Sequence, residues 1–97
     1  MYAAALRVEL RIPEARSLKE KRRVLQSVVS ELRNRMSLSV AEIDHHDEWQ
    51  RSTVGVAIVA GGNTDLENRI AAVERMLGER VDLELLEIVL SYLEDPE

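Results

Sequence analysis

Cysteine is absent from the chain, and with it disulfides, iron–sulfur clusters, thiolate zinc sites and cysteine nucleophiles. A chain that does without disulfides fits a reducing cytoplasm. Phenylalanine is absent too, and one Trp and two Tyr are the whole aromatic complement. No apolar run approaches the ~18 residues of a membrane span, and the apolar start from Met1 to Ala5 is too short for a secretory signal. Only two Lys stand beside eleven Arg, a bias that heat adaptation and a GC-rich genome explain equally well.

What is present is a 97-residue chain, 45% hydrophobic and 32% charged, enough for one domain over 1–97 with a single core. The formal net charge of −5 conceals a polarity. Residues 16–35 carry seven basic side chains against Glu20 and Glu31, a local +5, whereas residues 63–97 carry three against ten acids, a local −7. An acidic average therefore does not exclude an anionic partner.

Leu6, Val8, Leu10 and Ile12 alternate with Ala5, Arg7, Glu9 and Arg11, the period of a strand with one buried face, and Pro13 ends it. Ser17-Leu18-Lys19-Glu20 reads as a capping box. Behind it Leu18, Leu25, Val28, Val29, Leu32 and Met36 share one helical arc, predicting a helix of about five turns. Leu38 to Asp44 and Thr53 to Val59 read as two strands joined by a polar loop. Thr64-Asp65-Leu66-Glu67 is a second capping-box pattern, with Leu66, Ile70, Val73 and Leu77 at helical spacing and Gly78 at the stop. Val81 to Leu85 alternates, then Leu86 to Leu93 is apolar on both parities; the change reads as a bulge or as a strand covered on both faces.

The order β-α-β-β-α-β, with right-handed crossovers, gives the α+β ferredoxin-like sandwich: a four-stranded antiparallel sheet with two helices on one face. The other face is bare, and its predicted residues are Ala3, Ala5, Arg7 and Glu9 with Thr53, Gly55, Ala57 and Val59. Small central residues permit close approach of another backbone. That face and the last strand predict a homo-oligomer, dimer or higher, joined through the sheet face or the strand.

Three ordered motifs carry a family likeness. Ser17-Leu18-Lys19-Glu20-Lys21-Arg22, Ser39-Val40-Ala41-Glu42-Ile43-Asp44-His45 and Trp49-Gln50-Arg51 leading into Val54-Gly55-Val56-Ala57 together resemble the YlxP-like family of small bacterial proteins. The resemblance spans essentially the whole chain. It implies a ferredoxin-like fold and genes often found beside translation and ribosome-maturation genes, and it brings no established activity and no agreed catalytic residues.

The strongest candidate site is the basic start of the first helix. Arg16, Lys19, Lys21, Arg22 and Arg23 form a candidate anion or RNA patch beside the positive helix N-terminus. At about 100° per residue, Lys21 falls inside the apolar arc. Its methylenes are expected to cover the core edge while the ammonium snorkels out, within reach of Glu42 or Asp44. Stacking of bases on the sheet is excluded, because the mid-strand positions read Arg7, Glu9, Gly55 and Ala57. Any RNA contact would be electrostatic and salt-dependent.

A second candidate is the loop holding His45, His46, Trp49, Gln50 and Arg51, read as a polar hairpin connection with Trp49 anchored on the core, or as a recognition platform for a ligand or partner. Asp44 with His46, or His45 with Asp47, could each contribute two metal ligands, too few for a zinc site, so neither metal nor cofactor is expected. Gly61-Gly62 lacks the Walker pattern and reads as a turn. With no cysteine, no G-x-S-x-G and no serine next to a histidine, nucleophilic catalysis has no support.

The charge placement predicts a non-enzymatic cytoplasmic accessory protein, not bound to membranes, that meets RNA through its basic helix end; that it works near ribosome assembly or translation, on RNA or a ribosomal protein, is what the family resemblance implies. One rival is a small-molecule-binding or enzymatic oligomer with a site near His45–Arg51. The other is a protein-interaction module with an acidic docking face.

Overall fold

A computed structural model of the chain describes residues 1–94. Alternation sets the first element: β1 (Tyr2–Arg11) buries Leu6, Val8 and Leu10 and turns Ala5, Arg7 and Arg11 to the opposite face. The remaining elements are α1 (Leu18–Ser30), which runs into a π-helical turn (Glu31–Arg35), then β2 (Ser39–Asp44), β3 (Arg51–Ala60), α2 (Asn63–Glu79) and β4 (Glu84–Glu94). The sheet is antiparallel with order β2-β3-β1-β4, so β2 and β4 are its edges. This is the ferredoxin-like α+β sandwich.

The core lies between one sheet face and the helices. Val54, Val56 and Ile58 of β3 join the buried residues of β1, and Leu25, Val28 and Leu32 with Leu66, Ile70, Val73 and Leu77 close it from above. Both helices therefore present stripes of three-and-four spacing to the same face. β4 holds its place only through a bulge. Glu9 pairs with Glu87 but Leu10 pairs with Leu85, which leaves Leu86 unopposed. The extra residue explains the change of parity: Leu83 and Leu85 point to the core before it, Ile88 and Leu90 after it. The bulge reading thus holds.

Three local expectations are corrected. The second capping box does not form, because α2 starts earlier, at Asn63, with Gly62 as its cap and no side-chain cap bond; Glu67 instead meets the Asn63 amide. Gly78 lies inside α2, which ends at Glu79. Thr53, expected on the bare face, is buried there under Glu9, whose carboxylate accepts from the Thr53 hydroxyl.

The end of α1 carries a feature no hydrophobic pattern signals. Met36 N–H bonds to Glu31 O at 3.2 Å, a π-type step, and Leu38 N–H reaches back to Leu32 O at 3.0 Å. Ser37 between them takes a left-handed φ of 57°. This is a left-handed helix stop with wide, π-register return bonds, built on a serine where glycine is the easier residue.

Candidate anion interface on helix one

Ser17 closes the start of α1. With extended backbone, its hydroxyl accepts from Glu20 N–H at 3.1 Å, and the Glu20 carboxylate accepts from Arg16 N–H at 2.6 Å. The box is thus real but displaced by one residue, since its return bond lands on Arg16 and not on Ser17. Glu20 is committed to backbone, and the cations around it are left to solvent. Arg16, Lys19, Arg22 and Arg23 are all exposed, and among the described residues none has a carboxylate within 4.0 Å. Three unpaired cations in the first two turns of α1, with Arg16 just before the Ser17 cap, stand together beside the positive helix end.

Lys21 is separate from that patch. Its side chain is only 2% exposed, so the ammonium does not snorkel to water. It lies 3.2 Å from Glu42 Oε2 and donates to the His45 carbonyl, while Ser52 Oγ donates to the same Glu42 oxygen at 2.8 Å. Burial alone would raise the Glu42 carboxyl; the Ser52 hydroxyl and the Lys21 ammonium outweigh it, and the group titrates below its ordinary range. The structure therefore splits the five predicted basic residues into four at the surface and one that ties α1 to β2. Glu42, named in advance as a partner, is that partner, and Asp44 is not.

The loop after β2 is held by its polar groups and not by its tryptophan. His45 takes a left-handed φ of 61°, its N–H donates to Asp44 Oδ1 at 2.7 Å, and its Nδ1 lies 2.9 Å from Glu48 Oε2. The bond from that N–H holds the Asp44 carboxyl below its ordinary range. His46 turns the other way, with Nε2 3.3 Å from the Glu42 carbonyl. The two imidazoles thus serve different partners, and no cluster of three or more His, Cys, Asp or Glu suited to a metal occurs among the described residues. Gln50 is the anchor. Its side-chain amide donates to the carbonyls of Pro13 at 3.2 Å and Ala15 at 3.1 Å, and its backbone carbonyl accepts from Ile12 N–H at 2.9 Å. Trp49, expected on the core, is 53% exposed beside an open hollow lined by Asp47–Arg51. Arg51 is exposed at the start of β3. Two of the motifs that carried the family likeness meet here, the helix-one motif through Lys21 and the β2 motif through Glu42 and His45, while Gln50 of the third ties the loop to the segment that precedes α1.

Beside the cationic patch, α1 and the free edge of β2 bound a groove of about 420 Å³. Leu25 and Val29 lie in it, and Arg22, Gln26, Asn34 and His46 supply polar groups around it. Sequence reasoning missed this groove. Arg22, Gln26 and Arg33 recur at helical spacing beside Val29 of the apolar arc, so a polar stripe flanking that arc was the available signal. Arg33 closes one part of it by donating to the Val40 carbonyl.

No helix of the described residues is long and apolar enough to cross a membrane. Residues 3–90 match the family described as "Protein of unknown function (DUF503)". Over 62 residues, covering 64% of this chain and 67% of its relative, the sequence is 37% identical to the uncharacterized protein YlxP of Bacillus subtilis (strain 168). With a single family matched along almost the whole described sheet and both helices, the chain belongs to the DUF503 family, a family of unknown function.

Proposed function

We propose that the protein is a non-enzymatic cytoplasmic accessory factor that binds RNA through the start of α1, in the service of ribosome assembly or translation. The observation that carries this reading is the set of four exposed cations, Arg16, Lys19, Arg22 and Arg23, with no carboxylate beside them. Elsewhere Arg35, Arg69 and Arg11 are engaged with Glu31, Asp65 and Glu84, while Arg51 and Arg75, also exposed and without a carboxylate within 4.0 Å among the described residues, each stand apart in the sequence from any other such cation. Charges left unpaired on one helix end are free to neutralise phosphates and release counterions. The groove beside Arg22 supports the same reading, because its amides at Gln26 and Asn34 stand next to apolar ground on which an unstacked base can lie. The link to the ribosome rests on the gene neighbourhood that the YlxP-like resemblance implies.

The test is the salt dependence of binding to single-stranded segments of ribosomal RNA. Four phosphate contacts predict a slope of log affinity on log salt of about −2.8, so a fourfold rise in salt weakens binding about 50-fold. Absence of binding at low salt, or affinity indifferent to salt, refutes the proposal.

A further inference from the structure

The bare face of the sheet carries a second inference, independent of RNA. Its charges gather toward one end, where Arg7, Arg11 and Arg51 meet Glu9, Glu84, Glu87 and Asp44, three basic side chains against four acidic. Beyond Arg7 the face is uncharged. Val59 and Leu93, 63% and 61% exposed, stand there with Ala3, Ala5, Ala57 and Ser91. Across its middle runs a shallow trough of about 430 Å³ floored by Ala5, Ala41, Gly55 and Ala57, with Ile43 and Val89, each 45% exposed, at its two margins. Gly55 is small for a reason: a Cβ there would come within 3.3 Å of Ile43.

The same surface therefore holds both a hollow and the apolar ridges that fit one, which is the requirement for an isologous contact. The charges at its end balance to within one unit and pair with one another, Arg7 with Asp44 and Arg11 with Glu84, so a two-fold arrangement brings little net like charge together. Strands of ten, ten, eleven and six residues, rising ~3.4 Å per residue and spaced ~4.8 Å apart, give a planar area of about 600 Å². That reaches the lower range of stable association, about 600 Å² per partner. The sheet edges offer less. On β2 the carbonyls of Val40 and Glu42 are occupied by Arg33 and His46, and the other edge, β4, is broken by the bulge at Leu86.

We propose that this face is the interface of a two-fold homodimer in which the two sheets stack face to face. The helices lie on the opposite side of each sheet, so the dimer leaves both basic α1 ends open and presents two of them, facing away from each other. An RNA-binding factor built this way would be bivalent, but the contact itself does not rest on that reading.

Light scattering across a dilution series of the full chain tests it. The wild type is expected at twice the 11.0 kDa chain mass. Ala57→Lys and Val89→Lys, each with unchanged circular dichroism, are expected at the single mass, whereas Leu86→Lys on the β4 edge leaves the dimer intact. A wild type that is monomeric throughout overturns the proposal, as does a dimer that survives both face substitutions or is broken only by Leu86→Lys. Should both charged variants unfold, Ala57→Cys with a nitroxide label supplies the readout, since this is then the one cysteine in the chain. Stacked sheets lie ~10 Å apart, so strong coupling between labels is expected, and its absence refutes face-to-face stacking.

Discussion

Replacing Lys21 separates what its stem does from what its charge does. The side chain is 2% exposed, and its ammonium has two partners, the Glu42 carboxylate at 3.2 Å and the His45 carbonyl. Lys21→Met keeps an unbranched apolar stem and removes the charge. Glu42 is then left with the Ser52 hydroxyl and partial access to water, its side chain being 19% exposed. The cost is that of a charged hydrogen bond, about 1.5 kcal/mol. Lys21→Ala also deletes three buried methylenes, at about 0.8 kcal/mol each, and brings the total to about 4 kcal/mol. Glu42→Gln is expected to cost more than Lys21→Met, about 3 kcal/mol, because it leaves the ammonium as the unpaired charge, and the ammonium is the more deeply buried of the two. Urea denaturation followed by far-ultraviolet circular dichroism, all variants at one protein concentration, gives the three values. Equal losses for Lys21→Met and Lys21→Ala would show that the stem is not part of the core. A Glu42→Gln variant as stable as the wild type would show that the ion pair is idle.

The same latch sets a pH dependence. Glu42, Asp44 and Asp82 all titrate below their ordinary values in the folded chain, Asp82 through its hydrogen bond from Arg80. A depressed carboxylate stabilises the fold above the ordinary carboxylate range, near pH 4, and that contribution is lost as pH falls through the depressed value. Denaturation at descending pH is expected to show a decline that is shallower in Lys21→Met, and a parallel decline in the two proteins would contradict the assignment. In the loop, Gln50→Ala is expected to cost about 2 kcal/mol by orphaning the buried Ala15 carbonyl, whereas Trp49→Ala changes stability by less than about 0.5 kcal/mol; thermal unfolding orders the two. Ser37→Gly relieves the left-handed residue at the end of α1 and is expected to stabilise the chain by about 0.5–1 kcal/mol, read in the same assay.

The element order and the core were legible because period carries them. Leu6, Val8 and Leu10 could lie on one face only as a strand, and Leu25, Val28 and Leu32 on one face only as a helix. The bulge was legible at Leu85-Leu86 because a parity change has few other causes. The caps were less so: Thr64 to Glu67 matches a box, but Gly62 with an extended backbone caps α2 two residues earlier, and pattern alone does not rank two such close starts. The roles within the loop were illegible for another reason. Trp49 and Gln50 are neighbours, and which of them turns inward depends on where the chain before α1 passes; the carbonyls of Pro13 and Ala15 happen to face Gln50. Lys21 was placed on the core face correctly, but its complete burial depended on Glu42 and His45, 21 and 24 positions away, converging on it.

The central claim is that α1 binds RNA by charge, and reversing that charge tests it most directly. At low salt each lost phosphate contact is worth about eightfold in affinity for a single strand, so Arg22→Glu combined with Arg23→Glu is expected to weaken binding of ribosomal RNA segments about 60-fold in a fluorescence-anisotropy titration, and to halve the salt slope. Neither side chain has a carboxylate partner among the described residues, so the fold is expected to be unaffected. A doubly reversed protein that binds RNA as tightly as the wild type, with the same salt slope, would contradict the account.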